Sequence, residues 1–257
     1  MYQSICCSGQ IRVKSLSQPD THLLLSTMEI DVKRNLLFEH PFTMMIAGAT
    51  SSGKTVFTRS LIENLPELMT GTYQLPLRVL WCYGIHQDLY DVPLSSPLVT
   101  VTYHEGVPED DSHDVIVLDD MMIAAGDDKR MSDIFTKRSH HKNVSVIFIV
   151  QNVFHQGKQM RNIALNCHYL VLMKSRRDLG QVTRLGSQIY PGSKRLFFAD
   201  AYKKAVLDTE YGYLLIDLTP STLEQFRLRT NILPHQYPIV IFMPKDVGKS
   251  KSMPPSA

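Results

Sequence analysis

The stretch Phe42-Thr43-Met44-Met45-Ile46-Ala47, followed by Gly48-Ala49-Thr50-Ser51-Ser52-Gly53-Lys54-Thr55, decides the fold of this chain. Its first six residues are mostly apolar, and a short run of this kind is typical of a buried strand. A glycine-rich turn follows at once. The helical spacing of the apolar residues after it predicts a helix over 54–65, which we expect Pro66 to end. The sequence therefore predicts a strand, a tight turn and a helix in direct succession.

The turn matches the pattern G-x-x-x-x-G-K-[ST] in full, which is typical of a phosphate-binding loop. Glycines let successive backbone N–H groups curl around phosphates, and the N-terminus of the helix that follows attracts negative charge. Lys54 can reach the outer phosphates, and the Thr55 hydroxyl can join the shell of a Mg²⁺ ion. The candidate nucleotide-binding residues are Gly48, Ala49, Thr50, Ser51, Ser52, Gly53, Lys54, Thr55 and Val56.

A second apolar run, Val115–Leu118, ends in two acidic residues, Asp119 and Asp120. Ligands of open α/β sheets bind at the carboxyl ends of the strands, so both carboxylates should lie beside the phosphate-binding loop. We expect Asp119 to hold Mg²⁺ through water, and Asp120 to orient or deprotonate the attacking water. The next strand, Val144–Val150, ends in Gln151, whose amide can contact both the γ-phosphate and that water.

Strand-length apolar runs alternate with helix-length segments along most of the chain, which predicts an α/β fold with a central, mainly parallel sheet flanked by helices. This expected architecture resembles that of RecA-like P-loop NTPases. We assign residues 36–235 to one ATPase domain, residues 1–35 to a poorly defined N-terminal arm, and residues 236–257 to a peripheral strand with a flexible tail. The remaining strands are expected at Leu77–Tyr83, Leu98–Tyr103, His168–Met173 and Tyr213–Ile216, and the helices at Lys129–His141, Lys158–Leu165, Arg176–Leu185 and Lys194–Ala205.

Composition excludes several classes of protein. Apolar residues make up 44% of the chain and charged residues 20%, which is ordinary for a folded globular protein. The apolar runs are strand-length, so we expect no membrane span, and the first ten residues do not resemble a secretory signal. The four cysteines show no metal-ligand spacing, and the expected setting is reducing and intracellular. Cys82 and Cys167 lie in strand-like runs and are expected to be buried.

Charge is distributed unevenly along the chain, although the net charge is only +2. Residues 105–128 contain nine acidic residues and no Lys or Arg. Residues 129–204 contain fifteen Lys or Arg and three acidic residues, a net charge of +12. A basic region of this kind fits either a surface that faces a polyanion or ordinary solvated helix faces.

The motifs also discriminate among P-loop proteins. The chain lacks the Asn-Lys-x-Asp pattern with which GTPases read guanine, and it shows no arginine-rich lid of a small-molecule kinase. The acidic pair at Asp119-Asp120, followed by a strand ending in Gln151, favours a ring or motor ATPase.

The combined pattern resembles the FtsK–HerA superfamily of DNA-pumping ATPases. Within it, Phe135–Asn152 (FTKRSHHKNVSVIFIVQN), Asn152–Lys158 and Arg161–Asn166 are similar to the DNA-packaging ATPases of polintons, adintoviruses and large DNA viruses, the poxvirus type among them. The resemblance extends from about Pro41 to Asp217.

This resemblance implies ATP- and Mg²⁺-dependent translocation of double-stranded DNA into a capsid by a homo-oligomeric ring, a pentamer or a hexamer. Capsid proteins would be further partners, and the setting would be the host nucleus, the host cytoplasm or the virion. Such rings usually carry an arginine just before the glutamine-ended strand, which acts on the neighbouring subunit's γ-phosphate. This chain has His140 and His141 there, so Arg138 is the candidate and Arg161 the runner-up. Histidine is a poor replacement because its pKa is near 6.5.

Two alternatives stay open. One is a different nucleic-acid motor such as a replicative helicase, although no accessory DNA-binding domain is evident. The other is a nucleotide-dependent assembly switch that binds ATP and scarcely turns it over. Aspartate at position 120, where a longer glutamate would reach further, is compatible with such a switch.

Overall fold

The computed structural model describes residues 2–5, 11–14, 35–108, 112–121, 134, 143–152, 163–175, 179–190, 194–207 and 209–244. Within these residues, eleven strands form one sheet in the order β2-β1-β13-β12-β11-β10-β4-β9-β8-β6-β7. Their bounds are β1 Tyr2–Ile5, β2 Ile11–Lys14, β4 Thr43–Ala47, β6 Leu77–Tyr83, β7 Val99–Glu105, β8 Val115–Asp119, β9 Ser145–Val150, β10 Tyr169–Met173, β11 Tyr213–Asp217, β12 Leu228–Thr230 and β13 Ile239–Phe242. Two short strands, β3 (Phe38–Glu39) and β5 (Met69–Thr70), pair separately.

Six neighbouring strands, from β10 through β4, β9, β8 and β6 to β7, run parallel. Every residue of β4, β8, β9 and β10 is buried. Continuous burial explains their unbroken apolar sequences, because a central parallel strand is covered on both faces. The predicted α/β fold is confirmed.

Antiparallel strands extend the sheet beyond β10. β11 pairs with β10, β12 with β11, and β13 with β12. β1 then adds to β13, and β2 to β1. The segment beyond residue 235 thus supplies a strand to the same sheet, while the domain boundary at 235/236 stays a prediction.

Helices cover both faces of the parallel half. Helix α1 (Lys54–Leu68) buries Phe57, Leu61 and Leu65 against the face that includes Met44 and Ile46 of β4. Helices α2 (Leu179–Ile189) and α3 (Lys194–Leu207) lie on the opposite face, where the α3 residues Phe198 and Tyr202 join the core that includes Met45. Successive side chains of β4 therefore enter different cores, as the strand period of two requires.

The prediction that Pro66 ends helix α1 is wrong, because the helix continues to Leu68. Proline removes only one N–H from the helical hydrogen-bond ladder, and here it does so in the last turn. Leu65 and Leu68 are both buried on the sheet, so packing outweighs this local cost.

The other predicted elements agree within a few residues. All of the predicted strands occur, and the two helices expected at 176–185 and 194–205 are found at Leu179–Ile189 and Lys194–Leu207. Cys82 and Cys167 are buried, as predicted, and burial raises the pKa of each thiol to about 12. The expected helix at Lys129–His141, apart from the buried Ile134, and most of the one at Lys158–Leu165 lie outside the described residues. No helix in the described ranges has the length and apolarity to span a membrane.

A buried ion pair lies in the antiparallel half. Arg229 on β12 donates a 2.8 Å hydrogen bond to Asp217 Oδ2 at the end of β11, and both side chains are 1–2% exposed. Arg229 also donates to the carbonyl of Asn35 at 2.9 Å. Burial lowers the pKa of Arg229, and the Asp217 carboxylate opposes this shift. The pair joins two strands and the segment that enters the domain.

A buried histidine contacts the start of β9. The Nδ1 atom of His40 lies 2.7 Å from Ser145 Oγ, which also accepts a 3.1 Å hydrogen bond from the N–H of Phe42. The serine hydroxyl keeps its proton and a second lone pair, so it can donate to an unprotonated Nδ1 or accept from a protonated one. Burial lowers the pKa of His40 below 6.5, opposed by the Asn143 backbone and the Asp114 carboxylate.

We expect this histidine to make stability depend on pH. In the unfolded chain its pKa is near 6.5, so acid favours the unfolded state. The stability that neutral His40 contributes is fully present above about pH 6.5. It is lost as the pH falls towards the lower pKa of His40 in the folded state. His40→Asn keeps an acceptor for Ser145 and cannot titrate. Urea unfolding should show the wild-type advantage over His40→Asn narrowing from pH 7.5 to 5.5; an advantage that does not change with pH would contradict this account.

Candidate nucleotide-binding site

The turn between β4 and α1 holds its two motif glycines for steric reasons. A Cβ at Gly48 would lie 2.6 Å from Met173 Cβ and 2.7 Å from Ser52 Oγ. Gly53 has φ +87°, and a Cβ there would lie 2.7 Å from the ring of Tyr211. A side chain at either position would displace the turn, since Cβ contacts under 3.0 Å essentially do not occur.

The same turn is closed by hydrogen bonds around the lysine. Gly48 N–H donates to the carbonyl of Val150, and Ser52 N–H to that of Ala49, both at 3.2 Å. The ammonium of Lys54 also donates to the Ala49 carbonyl, at 2.8 Å. Burial lowers the pKa of Lys54, while the carboxylates of Asp119 and Asp120 oppose that shift. The ammonium is thus held beside the acidic pair.

The cradle fits a phosphate group. The Oγ atom of Ser52 is buried and has no hydrogen-bond partner among the described residues. A buried polar atom without a partner costs free energy, so a bound oxyanion that accepts its proton would relieve the cost. Helix α1 begins at Lys54 and directs its N-terminal partial positive charge to the same place.

Asp119 lies at the end of β8, with 2% of its surface exposed. Its Oδ2 atom accepts hydrogen bonds from Thr55 Oγ1 at 3.2 Å and from the Tyr90 hydroxyl at 3.0 Å. Burial raises the pKa of Asp119, and these two hydrogen bonds oppose the rise. A hydroxyl beside a carboxylate is the all-oxygen set that Mg²⁺ prefers, so Thr55 and Asp119 fit such an ion.

Asp120 and Gln151 meet at the ends of neighbouring strands, β8 and β9. Asp120 is exposed and has φ +51°, so the backbone turns sharply after the buried Asp119. The Gln151 amide nitrogen lies 3.4 Å from Asp120 Oδ1. The two side chains predicted to handle the attacking water are therefore adjacent and accessible to solvent.

One pocket of about 390 Å³ gathers these groups, a size typical of ligand sites. It is lined by Thr50, Ser51, Gly53, Lys54, Thr55, Val56, Gln87, Leu89, Asp119, Asp120, Ile149, Val150 and Gln151. Residues from four separate parts of the chain converge there, and the predicted acids, amide and lysine are among them. Their chemical roles stay predictions.

No motif or spacing rule predicts the turn at residues 87–93, which we call the Tyr90 turn. Gln87 and Leu89 line the pocket, and Tyr90 contacts Asp119 directly. Burial and the adjacent Asp119 carboxylate raise the pKa of Tyr90 far above its usual range, so its hydroxyl remains a donor. The only sequence signal was an unusual density of aromatic residues between Trp81 and Tyr103.

The candidate arginines, Arg138 and Arg161, lie outside the described residues. Within the basic region 129–204, side chains are described for Lys174, Arg184, Lys203 and Lys204. Arg184, Lys203 and Lys204 are exposed, on helices α2 and α3. Their exposure fits a solvated face as well as it fits a polyanion surface.

The sheet and the phosphate turn together define a P-loop NTPase fold. Searches found no matching family model and no matching curated protein. Among solved structures, the chain is similar to the genome packaging NTPase B204 from Sulfolobus turreted icosahedral virus 2 in complex with ATP-γS, with 12% identity, 79% of this chain and 97% of that one covered, and a TM-score of 0.44. The flagellar accessory protein FlaH from Methanocaldococcus jannaschii is 14% identical, with 56% of this chain and 76% of FlaH covered and a TM-score of 0.40. The Legionella pneumophila ATPase DotB is 15% identical, with 67% of this chain and 52% of DotB covered and a TM-score of 0.35.

Proposed function

We propose that this protein is an Mg²⁺-dependent ATPase that moves double-stranded DNA, and that its cargo is a viral or transposon genome entering a capsid. The observation that supports hydrolysis most strongly is the convergence of Lys54, Thr55, Asp119, Asp120 and Gln151 on one pocket. Such a set can bind a triphosphate, hold a metal and activate water. Translocation and packaging draw their support from the basic region and from the resemblance of Phe135–Asn152.

Each group has a distinct task in this proposal. The backbone of 48–55 and the Lys54 ammonium hold the phosphates and offset their charge. Thr55 and Asp119 hold Mg²⁺, which supplies charge neutralisation at the β- and γ-phosphates when bound. Asp120 accepts a proton from, or orients, the attacking water, and the Gln151 amide beside it helps to fix that water.

The ring and its DNA channel are also part of the proposal. Arg138, or failing it Arg161, would reach the γ-phosphate of the neighbouring subunit in a pentamer or hexamer. Basic side chains between residues 129 and 204 would contact DNA phosphates without reading sequence. ATP turnover should therefore rise when double-stranded DNA is added, and the rise should shrink as salt concentration increases.

The test of hydrolysis is Asp120→Asn, which keeps the shape of the side chain and removes its basicity. We expect turnover to fall about 100-fold, at the lower end of what a general base contributes, with ATP binding preserved. The measurement is phosphate release by the purified protein with and without double-stranded DNA. Asp88→Asn is the matched control, because Asp88 is an exposed acid in the Tyr90 turn, and it should keep wild-type turnover.

The outcomes separate the alternatives. Wild-type turnover in Asp120→Asn would remove the assigned role of that residue. Tight ATP binding with turnover near zero, with or without DNA, would favour an assembly switch. Robust unwinding of a forked duplex would favour a helicase.

A further inference from the structure

The hydroxyl of Tyr90 shares an acceptor with the hydroxyl of Thr55. Both donate to Asp119 Oδ2, from 3.0 Å and 3.2 Å respectively. In the part of the chain that the structure describes, neither hydroxyl donates a hydrogen bond to Oδ1. We infer that Tyr90 is a positioning residue of the magnesium site: by holding Oδ2 of Asp119, it would leave Oδ1 available to that site. This inference rests on the proposed function, because it assumes that Asp119 serves Mg²⁺.

Tyr90 is well suited to hold a fixed orientation. It is 6% exposed, and its ring stacks between Tyr83 and Tyr103 at centroid distances of 5.1 Å and 5.3 Å. The ring of Trp81 lies 5.9 Å away. Aromatic contacts of this kind restrict the ring, so the hydroxyl meets Asp119 without a large loss of side-chain entropy on metal binding.

The backbone around Tyr90 is fixed to the helix that follows the phosphate loop. Arg59, in the second turn of α1, donates to the carbonyls of Leu89, Val92 and Pro93, with a distance of 2.6 Å to Leu89 and 2.7 Å to Pro93. Arg59 is itself 9% exposed. The Tyr90 turn is therefore tied to α1 by hydrogen bonds, and α1 begins at the lysine and threonine of the phosphate loop.

This arrangement gives the metal site a second set of contacts. Groups that hydrogen-bond a metal-associated carboxylate typically change metal affinity or activity 10- to 100-fold when removed. Thr55 and Asp119 would hold the ion, whereas Tyr90 would act through its hydrogen bond to the Asp119 carboxylate. Tyr90 would thus keep Asp119 aligned before and after the metal binds.

The test is Tyr90→Phe, which keeps the stacked ring and removes one oxygen. We expect the Mg²⁺ concentration for half-maximal binding of a fluorescent ATP analogue to rise about tenfold. Binding of the same analogue in EDTA should not change. In an Asp119→Asn background the Tyr90→Phe change should add little, because its acceptor is already altered; this second comparison tests the pairing directly.

Tyr83→Phe is the matched control, because Tyr83 stacks on Tyr90 and loses the same atom. Its backbone pairs with Asp119 across the sheet, but its hydroxyl donates no hydrogen bond to the Asp119 carboxylate. A wild-type Mg²⁺ requirement in Tyr90→Phe, or an equal shift in Tyr83→Phe, would overturn the inference. Binding is measured apart from turnover, so a protein that binds Mg²⁺–nucleotide without hydrolysing it defeats the proposed function alone. Wild-type binding that ignores Mg²⁺ would overturn both.

Discussion

Lys54→Ala is expected to lower ATP turnover about 10²- to 10³-fold, the effect typical of removing one preorganised group that stabilises developing charge. The ammonium is held by the Ala49 carbonyl at 2.8 Å and lies beside Asp119 and Asp120. Without the ammonium, the negative charges of the two carboxylates are left to repel the negatively charged triphosphate. The measurement is steady-state phosphate release at saturating Mg²⁺ without DNA.

Arg78→Met is the control for charge. It removes one positive side chain near the start of β6, whereas the pocket lies at the carboxyl ends of the strands, and it should keep wild-type turnover. Wild-type turnover in Lys54→Ala would mean that the pocket is not a hydrolytic site. A proportional loss in both variants would indicate a general effect of charge or folding.

Arg229→Met is expected to destabilise the protein by about 3–5 kcal/mol, because it leaves the buried carboxylate of Asp217 without its cation. The same change at Arg78, which is 52% exposed and pairs with Asp114, should cost less than about 1 kcal/mol. The measurement is the free energy of unfolding in urea, with ATP absent so that ligand binding does not contribute.

Such a loss of stability has two possible causes, the unpaired charge of Asp217 and the lost packing of Arg229. A double variant, Asp217→Leu with Arg229→Met, distinguishes between them. It replaces both charges by apolar groups, so it should recover much of the stability that the single change removes. If the double variant is as unstable as Arg229→Met alone, packing around the arginine matters more than the unpaired charge.

The parts of the site that the sequence predicts are those governed by local rules. The glycine spacing predicts the turn at 48–53, and parallel strands must bring their carboxyl ends to one edge, so Asp119, Asp120 and Gln151 converge. Ordinary periodicity also predicts the strands of the parallel half. The functions of these residues, and the choice between Arg138 and Arg161, stay predictions.

The parts that the sequence does not predict depend on contacts between distant residues. Tyr90 meets Asp119 across 29 positions and His40 meets Ser145 across 105, and no spacing rule links such pairs. The antiparallel half escapes prediction because its short strands could pair in several orders. At Pro66, tertiary packing outweighs the local tendency of proline to end a helix, because the helix continues and buries Leu68.

The contact between Arg59 and the Tyr90 turn has a consequence for which sequence changes this fold tolerates. Arg59 binds three backbone carbonyls, and every amino acid has one. Positions 89, 92 and 93 can therefore exchange side chains without altering what the guanidinium recognises, while the arginine, with its several donors in one plane, has no equivalent. Two proteins can therefore share this contact while only the arginine is identical between them. Such a likeness is visible when structures are superposed and is nearly invisible in a sequence alignment.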